Sequence, residues 1–324
     1  MLGAFGGIIV THAVDIPALD GRSPLGFLAA LGLLNLLTDT TADPAGLSFS
    51  QNNGTAVVHS SMSSLDEVGQ ELAAIAAAAA DDAAITGVDP RFPLRAGAHA
   101  DPMRRPRGSY RELAAEIRHI DAHAAGYWLP YLLTDLAVDN NGRAGLTPYA
   151  APSGKQNLRT FFLKPLDEVR ANPSRIHEAL AGWRRVEGFT GEYLDHHVLN
   201  SAADDPLGRT AMESGVPGAT WLATMALPML RITGDGENIA ATLWHRTERR
   251  PVMIWPLWHQ QLDLPAVQAL IEHPCLIPTD PTPAVRRTAW PALGIFSVYG
   301  AERQHIPRRK FPGVLAPIAV AATG

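Results

Sequence analysis

Polar residues that could bind an anion stand at the head of an apolar stretch, in "DGRSPLGFLAALGLLNLL" at residues 20–37. Ser23 is a favourable N-cap and Pro24 suits the first helical position, so the stretch predicts a helix that begins near residue 24. Free N–H groups at a helix start, a glycine that permits close approach and the guanidinium of Arg22 have the chemistry of a phosphate site. A core helix with an ordinary polar first turn explains the same residues, and both interpretations stay open.

A second polar segment lies in "TPYAAPSGKQNLRTFF", which predicts another helix start. Its residues Ser153, Gly154, Lys155 and Gln156 offer free N–H groups, a hydroxyl, a cation and an amide donor. Contacts to a phosphate or to a base edge use these groups. A capped helix start without a ligand explains the segment almost as well, so it is a candidate nucleic-acid contact with a structural alternative.

Histidine and aspartate residues of the kind that bind metal ions occur in "IRHIDAHAAGY" and "EYLDHHVLN". In a helix, His119 and His123 share a face, as in zinc-binding helices, but the glutamate that follows the first histidine of such helices is absent. We therefore expect hydrogen-bonded or surface histidines, and no metal or other cofactor. The alternative is a metal-dependent nuclease or hydrolase, whose ligands would be His119, Asp121, His123, His196 and His197, with Asp195 beside them.

Known catalytic signatures are missing from the sequence. It has no G-x-S-x-G elbow, no P-loop and no dinucleotide-binding fingerprint. The single cysteine, Cys275, follows a proline in an apolar segment, where a buried thiol is more common than a nucleophile. We expect a protein without enzymatic activity. The low cysteine usage and the absence of a signal-peptide pattern favour a cytoplasmic location, and we expect no membrane partner.

The charged residues restrict the possible partners. A formal net charge of −5 argues against a free-standing protein that binds nucleic acid non-specifically, because such proteins are usually basic. Of the 27 basic residues all but three are arginines, which suit bidentate phosphate contacts, although a GC-rich genome would produce the same bias. The three local basic clusters are Arg104, Arg105 and Arg107; Arg246, Arg249 and Arg250; and Arg303, Arg308, Arg309 and Lys310. They suggest local docking to phosphates or to acidic partners.

The elements that must position these residues change in type along the chain. The N-terminal part predicts a strand at 3–16, a helix at 24–38, a hairpin around 52–54, a helix after the Ser64/Glu67 capping box, and a loop at 86–108. Residues 108–138 and 155–228 are predicted to be mostly helical, with a break at Pro130. The last part predicts a Gly-Asp-Gly hairpin, strands in "RPVMIWPLW" and "LGIFSVYGAER", and a short helix at 264–272.

This pattern predicts an α+β fold, with strand-rich terminal portions and a largely helical central portion. The portions are 1–150, 151–228 and 229–324, which are long enough to form separate domains or one compact domain. The aromatic residues of "WPLW", Trp255 and Trp258, could stack on bases, but such pairs beside strands are more typical of a core or an interface.

Four motifs in the order "DGRSPLGFLAALGLL", "SGKQ", "GVPGATWLATMALPML" and "WPLW" resemble the compact large-subunit-like proteins of type I-G (formerly I-U) CRISPR systems. The resemblance runs from about residue 15 to 315. It implies a non-catalytic subunit of a crRNA-guided surveillance (Cascade) complex in antiviral defence. Such a subunit helps to recognise a short motif beside the target and stabilises the opened DNA. Its partners would be other effector subunits, crRNA and target DNA, while a helicase-nuclease recruited in trans cuts.

The acidic net charge departs from what this resemblance implies for a main DNA-binding subunit. It fits a protein that docks on RNA-bound neighbours and presents only local arginine patches. The candidate nucleic-acid-binding residues are Arg22, Ser23, Arg104, Arg105, Arg107, Lys155, Gln156, Arg308 and Arg309. The loop arginines are expected to contact the backbone, and Lys155 with Gln156 to read the motif. A scaffold subunit that uses the tryptophan and arginine patches only for protein partners is a further alternative.

Overall fold

Helices and strands both run through the chain, which confirms the α+β class. The computed structural model describes residues 11–40, 45–95, 101–150, 157–199, 213–248, 250–279, 283–305 and 313–323. The α-helices in these ranges are α1 (Pro24–Thr40), α2 (Leu65–Ala77), α3 (Tyr110–Ile120), α4 (Leu129–Leu132), α5 (Leu158–Ala171), α6 (Ser174–Ala181), α7 (Pro217–Met225), α8 (Leu264–Ile271) and α9 (Trp290–Leu293).

The strands form two larger sheets and three strand pairs. In chain order they are β1 (His12–Asp20), β2 (Gly46–Phe49), β3 (Thr55–Ser60), β4 (Leu133–Val138), β5 (Ala144–Leu146), β6 (Val186–Glu187), β7 (Ser214–Gly215), β8 (Ile232–Gly234), β9 (Ile239–Ala241), β10 (Trp244–Arg246), β11 (Pro251–Trp258), β12 (Leu262–Asp263), β13 (Ala284–Arg286), β14 (Ile295–Gln304), β15 (Val314–Ile318) and β16 (Ala321–Thr323). The larger sheets have the strand orders β1-β3-β2-β12 and β15-β14-β11-β10-β9-β8, and the pairs are β4-β5, β6-β7 and β13-β16.

Strands from distant parts of the chain share these sheets. The last strand of the four-stranded sheet, β12, is antiparallel to β2, with Leu262 opposite Leu47. One hydrophobic cluster contains buried residues of all three predicted portions, among them Ile16, Leu222 and Leu257. The N-terminal sheet and the C-terminal strands therefore enclose a common core.

Helix α1 is buried almost all round, as its apolar sequence predicts, and packs along α7. A Cβ on Gly32 would come within 1.7 Å of the carbonyl oxygen of Leu222, so only a glycine allows this close approach. The buried polar residue of α1, Asn35, has a hydrogen-bond partner on both sides of its amide. Its Nδ2 donates to the carbonyl oxygen of Met225 and its Oδ1 accepts from the hydroxyl of Tyr127.

Several local predictions are confirmed. Ser23 caps α1 by accepting from the N–H of Gly26, and Ser64 caps α2 by accepting from the N–H of Glu67. The hairpins β2-β3 and β8-β9 and the strands β11 and β14 lie where the sequence predicts them. Helix α8 also agrees with the predicted helix at 264–272.

Two predictions about helices are wrong. The helical pattern of residues 108–138 stops at Leu132, and "LTDLAV" is strand β4, which pairs with β5. Asp121 already has an extended backbone, and a short π-helix at Ala124–Trp128 precedes α4. The middle helix α5 begins at Leu158, not at residue 153. Its N-cap is Asn157, whose side chain accepts from the N–H of Thr160.

Candidate functional site

The turn at residues 20–23, between β1 and α1, is fixed by its own polar side chains. The carboxylate of Asp20 accepts from the backbone N–H of Arg22 at 2.9 Å and from Nε and Nη2 of the same residue, both at 2.8 Å. These bonds to Asp20 raise the pKa of Arg22. The hydroxyl of Ser23 donates to the carbonyl oxygen of Asp20 and accepts from Gly26. Ser23 therefore serves the helix cap, while the Arg22 side chain is ordered and 51% exposed.

The core beneath the turn explains its glycine. The indole Nε1 of Trp255 donates to the carbonyl oxygen of Gly21 at 2.7 Å, and the N–H of Gly21 donates to Gly54. A Cβ on Gly21 would come within 2.7 Å of the side chains of Phe49 and Leu257. Trp255 itself is fully buried. The favoured sequence interpretation of "WPLW" as core is therefore confirmed for Trp255, and Trp258 is buried as well.

Three of the motifs that carry the family resemblance thus pack together. Helix α1 lies against α7, and the turn before α1 lies on β11. The fourth motif, "SGKQ", lies outside the described residues. The described motifs therefore specify the packing of this fold, and Arg22 is the more exposed of the two charged side chains in the first motif, at 51% against 36% for Asp20.

Opposite this turn lie three consecutive residues with metal-binding side chains: Asp195, His196 and His197, which we call the Asp-His-His cluster. One ligand atom from each of them falls within 4.8 Å of the others. The carboxylate of Asp195 is buried, and its Oδ2 accepts from Nη2 of Arg185 at 2.6 Å. Its Oδ1 accepts from the backbone N–H of His197 at 3.0 Å.

The turn and the Asp-His-His cluster line one cavity of about 370 Å³, which we call the polar cavity. The residues that line it are Ala18, Asp20, Arg22, Ser23, Trp183, Arg185, Asp195, His196, His197 and Pro317. Its charged groups form two ion pairs, Arg22 with Asp20 and Arg185 with Asp195. Burial and the neighbouring His197 lower the pKa of His196, which favours the neutral imidazole.

Sequence reasoning missed part of this site. Trp183 and Arg185 precede the Asp-His-His cluster by about ten residues, and the adjacent arginines Arg184 and Arg185 are the sequence signal that indicates a charged site there. Residues 20–23 and 195–197 come to line one cavity only through the tertiary fold. No short-range pattern in the sequence predicts it.

A buried carboxyl group precedes the Asp-His-His cluster by three residues in the sequence. Glu192 has no exposed surface, and burial raises its pKa to about 8, although Lys164 acts in the opposite direction. Neither carboxyl oxygen has a hydrogen-bond partner within the described ranges. Glu192 and Tyr193 both have left-handed backbone, with φ of 49° and 58°. Such conformations are unfavourable for residues with a Cβ, so the surrounding packing must stabilise this turn.

The loop arginines are held by partners within the protein. Arg104 forms an ion pair with Asp139 at 2.8 Å, and Arg105 forms one with Glu116 at 2.5 Å. Arg107 donates from Nη1 to the carbonyl oxygen of Gly236 and stays exposed. The ion pairs of Arg104 and Arg105 fasten this segment to the β4-β5 hairpin and to α3, and the predicted contact of all three arginines with a nucleic-acid backbone stays a prediction.

The remaining predicted contacts fall in segments that the structure does not describe: Lys155, Gln156, Arg308 and Arg309. Arg303, a member of the same C-terminal basic cluster, is described and is fully engaged. Its guanidinium is buried and donates to main-chain carbonyl oxygens, including those of Tyr149 and Gly313. Its guanidinium is therefore held by the main chain, although the residue as a whole is only partly buried.

The five ligands of the hydrolase alternative do not come together. Asp121 accepts from the N–H groups of Asp89 and Ala124, and the ring of His123 stacks on Tyr127 with 5.0 Å between centroids. His119 is exposed on α3. Of the described residues, only those of the Asp-His-His cluster form a group of three potential ligands.

Comparison with known proteins adds no identity. Neither a scan against protein-family models nor a search of curated proteins finds a match to this chain. In the described ranges, none of the helices has the length and apolar character of a membrane span.

Proposed function

We propose that the protein is a non-catalytic subunit of a crRNA-guided effector complex, and that the rim of the polar cavity binds the nucleic-acid backbone within that complex. The observation that carries the proposal is the guanidinium of Arg22, which Asp20 orders and which stays half exposed at the rim. The resemblance of the sequence to a known family supports the assignment to such a complex. The rim of the polar cavity supports a contact with the nucleic acid.

The ordered guanidinium suits a phosphate. Arginine has five N–H groups, and Asp20 accepts from Nε and from one N–H of Nη2. Within the described part of the chain no further acceptor binds the outward N–H groups, which can form a charge-assisted pair with an anion. A side chain that is already ordered loses less conformational entropy on binding. Because a phosphate carries no sequence information, Arg22 adds affinity for every target sequence.

Neighbouring carboxylates limit how strongly the rim attracts an anion. Asp20 and Asp195 are paired with Arg22 and Arg185, so the charges of the cavity largely cancel. The chain as a whole carries a net charge of −5. We therefore expect weak DNA binding by the free protein and salt-sensitive binding by the assembled complex, in which the RNA and neighbouring subunits position the DNA.

The other candidate residues differ in how available their side chains are for a contact with nucleic acid. Arg107 has an exposed side chain for a backbone contact, whereas Arg104 and Arg105 serve the fold first. Lys155 with Gln156 remains the proposed motif-reading pair. Arg308 with Arg309 remains a proposed backbone contact.

A metal-dependent nuclease or hydrolase is the second candidate, because the Asp-His-His cluster opens into the same cavity as Arg22. A phosphate held by Arg22 would lie in the cavity that contains these potential ligands. Incubation of the isolated protein with DNA and RNA in Zn²⁺ or Mn²⁺ tests this candidate. Our proposal expects no cleavage, and cleavage that His196→Ala abolishes would replace it with the hydrolase.

Assembly is the first test of the proposed function. Coexpression with the products of neighbouring genes, purification through a tag on this chain and sequencing of the bound RNA should recover a discrete guide RNA and partner subunits. Recovery of the protein alone, or with unselected cellular RNA, would contradict the proposal.

The contact at Arg22 has its own test in the assembled complex. Arg22→Ala should weaken target-duplex binding for every sequence and reduce the salt dependence by about one phosphate contact. Arg91→Ala is the matched control, because Arg91 makes the same bonds to Asp89, two residues earlier, and does not line the polar cavity. Equal effects of the two variants would rule out the rim contact and favour a scaffold subunit.

A further inference from the structure

We propose that the Asp-His-His cluster is a binding site for a divalent transition-metal ion, Zn²⁺ in the first place. The ligands are Oδ1 of Asp195, Nδ1 of His196 and a ring nitrogen of His197. This inference does not rest on the proposed function, because a bound ion can order this part of the cavity whether or not the protein binds nucleic acid. It departs from the sequence-based expectation that these residues are only hydrogen-bonded or exposed.

The separation of the ligand atoms is the first argument. Oδ1 of Asp195 and Nδ1 of His196 lie 3.6 Å apart, which is too long for a hydrogen bond. Two ligands of a tetrahedral zinc ion, each at about 2.0–2.1 Å from it, are separated by about 3.4 Å. All three ligand atoms fall within 4.8 Å of one another. A small movement of the side chains therefore suffices to close the cluster around one ion.

An unpartnered nitrogen is the second, independent argument. Nδ1 of His196 is buried and finds no hydrogen-bond partner within the described ranges. Buried polar atoms are nearly always satisfied, so the lone pair of this nitrogen calls for a partner, which can be a hydrogen-bond donor or a metal ion. The imidazole ring of His197 meets that of His196 edge-on, with 3.9 Å between centroids, so both rings stand on the same side of the turn.

The third ligand group, the carboxylate of Asp195, is oriented by hydrogen bonds to both of its oxygens. Arg185 occupies Oδ2 of Asp195, and the backbone N–H of His197 binds Oδ1 from one side. Partners of this kind orient a ligand and are typical of metal centres. Oδ1 keeps a second lone pair for an ion. The Arg185 charge lowers the affinity for a cation, so we expect binding that is weaker than in structural zinc sites with thiolates.

The chemistry of the set indicates which ion it takes. Two neutral imidazoles with one carboxylate suit Zn²⁺, and the same set is found with other first-row metals. Three protein ligands leave one tetrahedral position open, and the cluster lines a cavity with room for water or an anion in that position. Arg22 lines the same cavity, so an anionic ligand of the metal would be compatible with its charge.

Cobalt is a direct probe of this site, because tetrahedral Co²⁺ has a strong visible absorption. Full-length protein freed of metal with EDTA should bind one equivalent of Co²⁺ with this spectrum, and one equivalent of Zn²⁺ should displace it. His196→Ala and His197→Ala should each lower the affinity at least tenfold. A double variant, His119→Ala with His123→Ala, removes two histidines elsewhere and should bind as the original protein does.

The outcomes separate the alternatives. Absence of the cobalt spectrum, or equal binding by the original protein, His196→Ala and His197→Ala, would overturn the inference. Circular dichroism of each variant shows whether it is folded. If His196→Ala does not fold, the metal affinity of His197→Ala tests the inference by itself. The His197 side chain is exposed, so its removal should leave the fold intact. The metal titration uses no nucleic acid, so its result is independent of the tests of the proposed function.

Discussion

The indole N–H of Trp255 lies 2.7 Å from the carbonyl oxygen of Gly21 and binds it across 234 residues of sequence. Both groups are buried, so this bond fastens the turn that presents Arg22 to the central strand β11. A second indole, that of Trp258, binds the carbonyl oxygen of Leu47 in β2 in the same way. The position of Arg22 at the rim therefore depends on the core beneath it.

Trp255→Phe should destabilise the fold more than Trp221→Phe. Both tryptophans are fully buried, but the indole N–H of Trp221 has no partner within the described residues. Both changes remove similar apolar volume, and only Trp255→Phe leaves a buried carbonyl oxygen unpaired. We expect a difference of about 1–2 kcal/mol in the free energy of unfolding, measured by urea denaturation. Equal losses would show that the bond to Gly21 adds no stability.

Gly32→Ala should be strongly destabilising, because its Cβ would overlap the carbonyl oxygen of Leu222 in α7. We expect the free energy of unfolding to fall by at least about 3 kcal/mol, or the variant to fail to fold, because the backbones of α1 and α7 must move apart along their contact. Gly69→Ala, inside α2, is the control. Its Cβ would make an ordinary contact at 3.8 Å, and the better helix propensity should stabilise the protein by about 0.5–1 kcal/mol. Thermal unfolding of both variants measures the contrast.

Glu192→Gln should change how stability depends on pH. Burial raises the pKa of Glu192 from 4.5 to about 8, so the folded protein keeps a proton that the unfolded chain loses. The contribution of this group is fully favourable below pH 4.5, declines as the pH rises toward 8 and is constant above that. The glutamine variant lacks this decline.

Denaturation at pH 5 and pH 8 measures the effect. The advantage of Glu192→Gln over the original protein should grow between these values by on the order of 2–4 kcal/mol. Glu187→Gln, on the exposed strand β6, should show the pH profile of the original protein. An advantage of Glu192→Gln that stays constant with pH would mean that the carboxyl group is ionised in the folded protein.

Arg303→Lys should destabilise the protein although it preserves the charge. The guanidinium donates to four main-chain carbonyl oxygens, those of Pro148, Tyr149, Tyr193 and Gly313. A lysine ammonium is a single point donor that does not reproduce this planar arrangement. We expect a loss of about 1.5–3 kcal/mol, the scale of hydrogen bonds made by a charged group. Arg118→Lys, on the exposed face of α3, should stay within about 0.5 kcal/mol, and similar values for both would show that the bonds of Arg303 to the main chain add no stability.

The elements that depend on neighbouring residues could be predicted correctly from the sequence. The caps Ser23 and Ser64 and the Gly-Asp-Gly hairpin each depend on neighbouring residues, and all three are present in the structure. Strand β4 was missed because its short apolar run fits a helix as well as a strand, and pairing with β5 decides between them.

The candidate site could be predicted only in part. Arg22 and the Asp-His-His cluster were each visible as chemistry-bearing residues, but their meeting in one cavity depends on contacts more than 170 residues apart in sequence. The partners of Arg104 and Arg303 could not be predicted either. An arginine held by a distant carboxylate or by carbonyl oxygens looks the same in sequence as one that faces solvent.

The bond from Asn35 to the carbonyl oxygen of Met225 has a consequence for synthesis on the ribosome. At roughly 5–20 residues per second, the 190 residues between them take about 10–40 seconds to translate. Throughout that interval α1, apolar on nearly every side, has no α7 to cover it. The nascent chain is therefore a natural client for a chaperone that binds apolar helices, and conditions that slow translation should lower the yield of native protein more than they do for chains whose first helix packs on its immediate neighbours.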